Sequence, residues 1–152
     1  MKGSRTDAKT HAIKLLSYRS RSKKEMLEKL QKKGFDGVEI ENTIQFLEKT
    51  GLINDNVLVS DLFKLSVERK SLGKREIRRF LIKRGIDKEL IDNTLSSHTT
   101  ESEEKAALEF AERKLKTLKS HPDNVIKRRL WGMLQRRGFS GDVITKIFDS
   151  IL

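Results

Sequence analysis

Basic residues recur in pairs at matching distances before Gly34, Gly85 and Gly138, and these pairs are suited to binding an anion. Eleven and ten residues before the glycines stand Lys23 and Lys24, Lys74 and Arg75, and Lys127 and Arg128, with Arg129 as an added cation in the third copy. Each pair is predicted to lie in the first turn of a helix. Cations there oppose the helix dipole, so stability does not explain them. Together with free backbone N–H groups they would form a phosphate or carboxylate site, and we predict that they bind a partner. A plain solvated face is the alternative.

A second set of cations immediately precedes the same glycines. It consists of Lys32 and Lys33, Lys83 and Arg84, and Arg136 and Arg137. Cations in the last turn of a helix favour the dipole by about 0.3–1 kcal/mol each, so a purely stabilising role and a binding role both stay open. We include Arg136 and Arg137 among the predicted partner-binding residues.

Other arrangements that could support catalysis are missing from the sequence. His11, His98 and His121 are isolated and lack metal-ligand spacing, so surface or loop positions are expected for them. Residues 73–75 lack the rest of a phosphate-binding loop, and there is no cysteine to serve as a nucleophile or thiolate ligand. The prediction is a protein that is not an enzyme and has no cofactor and no metal site.

Trp131 is the one tryptophan, and its aligned positions hold Leu27 and Arg78. The favoured interpretation is a packed residue at the edge of the core. An exposed aromatic anchor among arginines, as interfaces often use, is the alternative.

The elements that position these cations are visible as an internal repeat. Three similar heptapeptides, residues 29–35, 80–86 and 133–139, carry the glycines, which lie 51 and 53 residues apart. Apolar residues coincide at five further aligned positions, for example Leu30, Leu81 and Leu134. Their spacing predicts two amphipathic helices with the glycine as the corner between them.

One repeat is predicted to contain three helices, since a longer helical pattern precedes each pair at about 6–18, 56–70 and 102–118. The middle helices are expected near 22–33, 74–84 and 127–137, with Ser22 and Glu25 forming a capping box. We divide the chain into residues 1–53, with the first few flexible, 54–98 and 99–152. The predicted fold is all-α, with three tandem three-helix repeats in an elongated, straight or curved array.

Composition limits the partner and the compartment. The 152 residues contain equal shares, 36% each, of hydrophobic and charged residues, so a thin core is expected. The net charge of +11 favours a polyanion or an acidic protein surface as partner. The absence of cysteine and of any long apolar segment predicts a cytoplasmic protein without membrane contact, and a monomer is expected.

Several segments occur in a fixed order along the chain: Arg19-Ser-Arg-Ser22, Glu25-Met-Leu-Glu-Lys-Leu30, Lys33-Gly-Phe35, Gly51-Leu-Ile-Asn-Asp55, Arg69 ahead of Leu72-Gly-Lys-Arg-Glu-Ile77, Arg84-Gly-Ile86 and Leu134-Gln-Arg-Arg-Gly-Phe139. Together these segments resemble the RecX family of bacterial RecA regulators. The similarity extends from about residue 8 onward. Asn54-Asp55 departs from it where the family often has two aspartates, and Phe80-Leu81 where the family has an acidic-apolar pair.

The resemblance implies a regulator that binds RecA protein or its nucleoprotein filament and lowers recombinase and ATPase activity. Direct binding to single- or double-stranded DNA stays open. The alternative function is a helix-turn-helix-like DNA-binding regulator that acts without RecA, because three short helices with a glycine turn also fit that motif.

Overall fold

A computed structural model describes residues 6–152, and within that range the chain is all-α, with nine helices and no strand. The helices are α1 (Ala8–Tyr18), α2 (Lys23–Lys33), α3 (Gly37–Lys49), α4 (Asp55–Glu68), α5 (Lys74–Lys83), α6 (Lys88–Ser96), α7 (Thr100–Leu118), α8 (Asp123–Arg136) and α9 (Gly141–Ile151). The predicted fold class is confirmed. The flexibility expected of the first few residues concerns residues 1–5, which lie outside the described range.

The predicted capping box and glycine corners are present, and further caps begin other helices. Ser22 and Glu25 form the capping box of α2, and Asp36 and Ser140 accept backbone hydrogen bonds at the starts of α3 and α9. Gly34, Gly85 and Gly138 have left-handed backbones, with φ of 97°, 79° and 95°. Because other residues are strained there, glycine at these three corners lets each middle helix turn into the next.

Helix α8 begins at Asp123, four residues before the predicted start at 127. Pro122 precedes it with φ of −62°, a value already suited to a helix start, and Asp123 places a negative charge in the first turn. Lys127 and Arg128 therefore lie in the second turn of α8. The prediction that all three basic pairs occupy a first turn is wrong for this helix.

Three separate hydrophobic clusters hold the helices in groups of three. One cluster draws on α1 to α3, the second on α4 to α6 and the third on α7 to α9, while Val67 contacts both the second and the third. The aligned leucines Leu30, Leu81 and Leu134 are each 0% exposed, which confirms their equivalence. We call the three groups repeats 1, 2 and 3; the boundaries after residues 53 and 98 stay predictions.

Between residues 6 and 152 there is no helix with the length and apolar character needed to cross a membrane. In the same range, no three histidine or acidic side chains are grouped as they would be around a metal ion.

Candidate anion-binding surface

The middle helices α2, α5 and α8 meet end to end at two joints. At the first joint, the corner at Gly85 packs against the start of α2, where an added Cβ would lie 2.6 Å from the Ser22 hydroxyl oxygen. At the second joint, Gly138 packs against the start of α5, and its added Cβ would lie 2.6 Å from the Glu76 backbone nitrogen. The first turns of α2 and α5 are thus enclosed by the following repeat.

Carboxylates of the chain itself already occupy these two helix starts. The Lys23 backbone N–H donates to Asp55 Oδ1 at 3.0 Å, and the Lys74 N–H donates to Glu103 Oε2 at 2.9 Å. Burial raises the pKa of the Asp55 carboxyl, and the bond from Lys23 opposes that rise. An anion does bind where the dipole and the cations favour it, but at α2 and α5 this anion is an internal side chain.

The predicted cations at the joints also have internal partners. Lys23 Nζ lies 3.4 Å from Glu48, and Arg75 donates to the Gln135 carbonyl oxygen. Arg75 Nε also lies 3.7 Å from Glu76 Oε2. The bond from Arg75 to Gln135 joins repeats 2 and 3, whereas the Lys23–Glu48 ion pair lies within repeat 1.

Most of the remaining predicted cations lack an ion pair with a carboxylate of the described residues. Lys24, Lys127 and Arg128 are exposed, and no carboxylate in residues 6–152 forms an ion pair with them, while Lys74 is half-buried. Arg129 is exposed and lies 3.4 Å from His121 Nε2. The predicted residues are therefore spread over two joints and the outer face of α8, and they do not form one compact site.

Arg136 and Arg137 are neighbours with different environments. Arg137 donates to the Lys70 carbonyl oxygen at 2.8 Å, and its guanidinium lies 5.1 Å from the Phe110 ring centre. Arg136 is exposed, and in the described range no acidic side chain pairs with it. Arg137 thus helps to close the second joint, whereas Arg136 can reach a ligand.

A basic groove runs along the second joint. Its wider part has a volume of 560 Å³ and adjoins a smaller part, and the two share Leu72 and Arg137. Six cations line the groove: Lys70, Arg79, Lys83, Lys114, Arg136 and Arg137. Glu76 is the one carboxylate in the lining, and it pairs with Arg79 at 3.1 Å. Six cations against one carboxylate give this groove a positive potential that attracts anions.

Apolar side chains make the floor of the basic groove. Phe80, Ile82, Phe110 and Met133 lie among the cations, and Ile82 is 56% exposed. Lys70 Nζ lies 5.1 Å from the Phe80 ring centre, and Lys114 Nζ lies 5.5 Å from that of Phe110. Cations beside aromatic faces and exposed apolar surface suit both a phosphate backbone and an acidic protein segment.

Comparison with known proteins places this architecture in a family. The profile described as "RecX, first three-helix domain" matches residues 8–47, and "RecX, third three-helix domain" matches residues 101–148. "Regulatory protein RecX" of Chlorobium phaeobacteroides (strain BS1) is 31% identical over 140 residues, spanning 92% of this chain and 90% of that protein. The chain belongs to the RecX family. The RecX protein of Chlorobaculum tepidum is 30% identical over 150 residues and is matched over 91% of its length.

Solved RecX structures share the fold. The crystal structure of RecX from Lactobacillus salivarius superposes with a TM-score of 0.82, at 24% identity, over 95% of this chain and 94% of that chain. A second regulatory protein RecX gives a TM-score of 0.79 at 23% identity, over 93% of this chain and 71% of that chain. The predicted resemblance to RecX and the three-helix repeat architecture are thereby confirmed.

The sequence predicted two of the six groove cations, Arg136 and Arg137, left the binding role of Lys83 open and gave no indication of the other three. The internal alignment gave no signal for the other three, Lys70, Arg79 and Lys114, because their aligned positions are not basic in every repeat. Lys83 did have such a signal, because the aligned positions hold Lys32 and Arg136. The six cations of the basic groove lie together because repeat 3 packs on repeat 2.

The structure shows the environments of Trp131 and His98. Trp131 is half-buried and packs edge-to-face on Phe148, with ring centres 5.7 Å apart, so the prediction of a packed position is confirmed. His98 lies in the loop before α7, as expected, but it is only 6% exposed and rests against Phe63. Burial lowers the pKa of the His98 imidazole, although the nearby Glu103 opposes the effect.

Proposed function

We propose that this RecX-family chain is a non-enzymatic modulator of the RecA recombinase. It binds RecA protein or the RecA–DNA filament and mainly inhibits strand exchange and ATP turnover. The observation that carries the proposal is membership of the RecX family, whose relatives bear the name regulatory protein. The site of action would be the cytoplasm, where the DNA-bound filament assembles, and the active form would be a monomer.

The basic groove favours a partner with an anionic surface. Lys83 and Arg136 are exposed, lie at the ends of α5 and α8, and are without an ion pair in the described residues. They can therefore exchange bound counterions for phosphates or carboxylates of the filament. Further contacts on the neighbouring repeats would come from four exposed cations, Lys24, Lys127, Arg128 and Arg129. These cations would be positioned by the residues at the joints, Lys23, Lys74, Arg75 and Arg137.

A helix-turn-helix regulator that acts without RecA is less well supported. In that motif the helix after the turn enters the major groove, and here those helices are α3, α6 and α9. They carry more acids than bases, with Glu39, Glu41 and Glu48 on α3, Glu89 and Asp92 on α6, and Asp142 and Asp149 on α9. Acidic helices would be repelled by phosphates, which favours binding to a filament over reading bases.

The test is the single-stranded-DNA-dependent ATPase of RecA from the same organism, with and without this protein. We expect the 152-residue chain to lower ATP turnover at stoichiometric or smaller ratios, and to hydrolyse no ATP by itself. The variant Lys83→Gln with Arg136→Gln should inhibit less, since it removes two open cations of the basic groove.

Lys29→Gln with Lys49→Gln is the matched control, because both lysines are exposed, lie on repeat 1 and change the net charge equally. It should inhibit as the unmodified protein does. An unchanged ATPase rate with the unmodified protein would refute the RecA proposal. Equal weakening by both variants would instead refute the basic groove as the contact surface.

A further inference from the structure

Each repeat has a groove between its middle and third helices, and a different side chain lies at this groove in each repeat. Seven residues before the corner glycine stand Leu27, Arg78 and Trp131. In repeat 3, the Trp131 ring lies against Phe148 and close to Gly141, whose added Cβ would be 3.9 Å from the ring. An aromatic side chain of the chain itself therefore fills this space.

In repeat 2 an ion pair spans the same groove. Arg78 on α5 donates to Asp92 on α6 at 2.7 Å, and Lys88 Nζ lies 3.2 Å from the same carboxylate. The surrounding side chains are mostly polar, with Leu95 as the apolar member of the lining. Here a cation of the chain occupies the space.

In repeat 1 the position of Trp131 and Arg78 holds Leu27, which is neither aromatic nor charged, although Lys23 lines one end of the groove. Its groove between α2 and α3, which we call the α2–α3 groove, has a volume of 570 Å³ and an apolar floor of Leu27, Phe35, Ile40 and Ile44. Gly37 stands where repeat 3 has Gly141, and nothing lies within 4 Å of where its Cβ would be. Leu27 is smaller than Trp131 and is 36% exposed, while the other three floor residues are at most 7% exposed, so an entering ring would contact mainly Leu27.

The rim of the α2–α3 groove is acidic. Glu41 occupies the position of Asp92, the position of Arg78 holds Leu27, and no cation in the described residues forms an ion pair with Glu41. At the other end, Glu48 lies 3.4 Å from Lys23 Nζ and is 45% exposed. An exposed carboxylate beside an apolar floor is complementary to a ligand that combines an apolar body with a positive charge.

We propose that the α2–α3 groove docks a segment of a partner protein that presents one aromatic side chain next to a lysine or arginine. The aromatic ring would take the place that Trp131 takes in repeat 3, and the cation would pair with Glu41 as Arg78 pairs with Asp92. This site is separate from the basic groove, and it does not depend on RecA being the partner. Its acidic rim selects against nucleic acid, whereas the basic groove attracts it.

The experiment uses two small probes with the same indole ring and opposite charge. Tryptophanamide carries an ammonium group and N-acetyltryptophan carries a carboxylate, and each is titrated into the ¹⁵N-labelled full chain. Tryptophanamide should cause saturable shifts of the amide signals of Leu27, Gly37 and Glu41, and should bind about two- to fivefold more tightly than N-acetyltryptophan. Glu41→Gln should remove that preference while leaving the fold intact, because Glu41 is exposed.

Leu27→Trp fills the groove as Trp131 does and should abolish the shifts. Val57→Trp is its matched control, because Val57 is an exposed aliphatic residue on α4 that lines neither groove, and it should leave binding unchanged. Saturable binding that survives Leu27→Trp, equal binding of both probes, or no saturable shift would each overturn the proposal. Shifts of the same amides by a single-stranded oligothymidylate would also overturn it, since the occupant would then be nucleic acid.

Discussion

The Arg84 guanidinium lies 3.1 Å from the Glu25 carboxylate, and both side chains are only 14% exposed. This pair joins the end of α5 to the start of α2. Arg84 also donates to the Ser20 carbonyl oxygen at 2.9 Å, and Glu25 also pairs with Arg19 at 3.2 Å. The basic residue before the corner glycine therefore has a structural role at the first joint, as Arg137 has at the second.

Arg84→Gln should destabilise the protein by about 1–3 kcal/mol, because it leaves the Glu25 carboxylate with less compensation in a partly buried place. Urea denaturation measured by circular dichroism will give the loss. Lys83→Gln removes the same charge from the exposed neighbouring position and should change the free energy of unfolding by less than about 0.5 kcal/mol. Equal losses in the two variants would show that the ion pair is not what holds the joint.

Substitutions at two corner glycines distinguish the energetic cost of backbone strain from the cost of a packing clash. Gly34 and Gly138 have nearly the same φ, 97° and 95°, but an added Cβ meets nothing within 4 Å at Gly34 and meets Glu76 within 2.8 Å at Gly138. Gly34→Ala should cost about 1–2 kcal/mol from the left-handed backbone alone. Gly138→Ala should cost about 2–5 kcal/mol, since repeat 3 must also move away from α5. Limited proteolysis should then cut at the second joint, and similar costs for both substitutions would contradict the tight packing.

The sequence predicted the repeats well because their signals are local. The glycine spacing and the i, i+4 apolar pattern specify each three-helix group within about fifty residues. The joints could not be predicted in this way, since Asp55 and Glu103 reach helix starts 32 and 29 residues earlier in the chain. The start of α8 was missed because Lys127 was aligned with Lys23, although Pro122 followed by Asp123 is itself a helix-start signal.

Acid should weaken the fold through His98. Burial lowers the pKa of the folded imidazole below its ordinary value of 6.5, so between the folded and the unfolded pKa the unfolded chain binds more protons. The free energy of unfolding should therefore fall as the pH drops from about 7 toward the folded pKa, and level off below it.

His98→Gln should reduce that slope, by at most one proton or about 1.4 kcal/mol per pH unit. His11, whose pKa burial also lowers, should keep part of the slope. Denaturation series from pH 5 to 8 provide the comparison, and above about pH 7.5 the two curves should run parallel because His98 is then neutral in both states. An unchanged slope at low pH would contradict the assignment to His98.

The last prediction concerns the charge of the basic groove, and it distinguishes phosphate binding from a merely solvated face. If Lys83 and Arg136 each contact a phosphate of single-stranded DNA, each contributes about 0.7 to the slope of the logarithm of affinity against the logarithm of salt concentration. Lys83→Gln with Arg136→Gln should therefore lower the slope by about 1.4, measured by fluorescence anisotropy with a labelled oligothymidylate between about 50 and 200 mM salt. Lys29→Gln with Lys49→Gln, which removes the same charge from repeat 1, should leave the slope within error. If both double variants lower the slope equally, the attraction comes from the net charge of +11 and not from the groove.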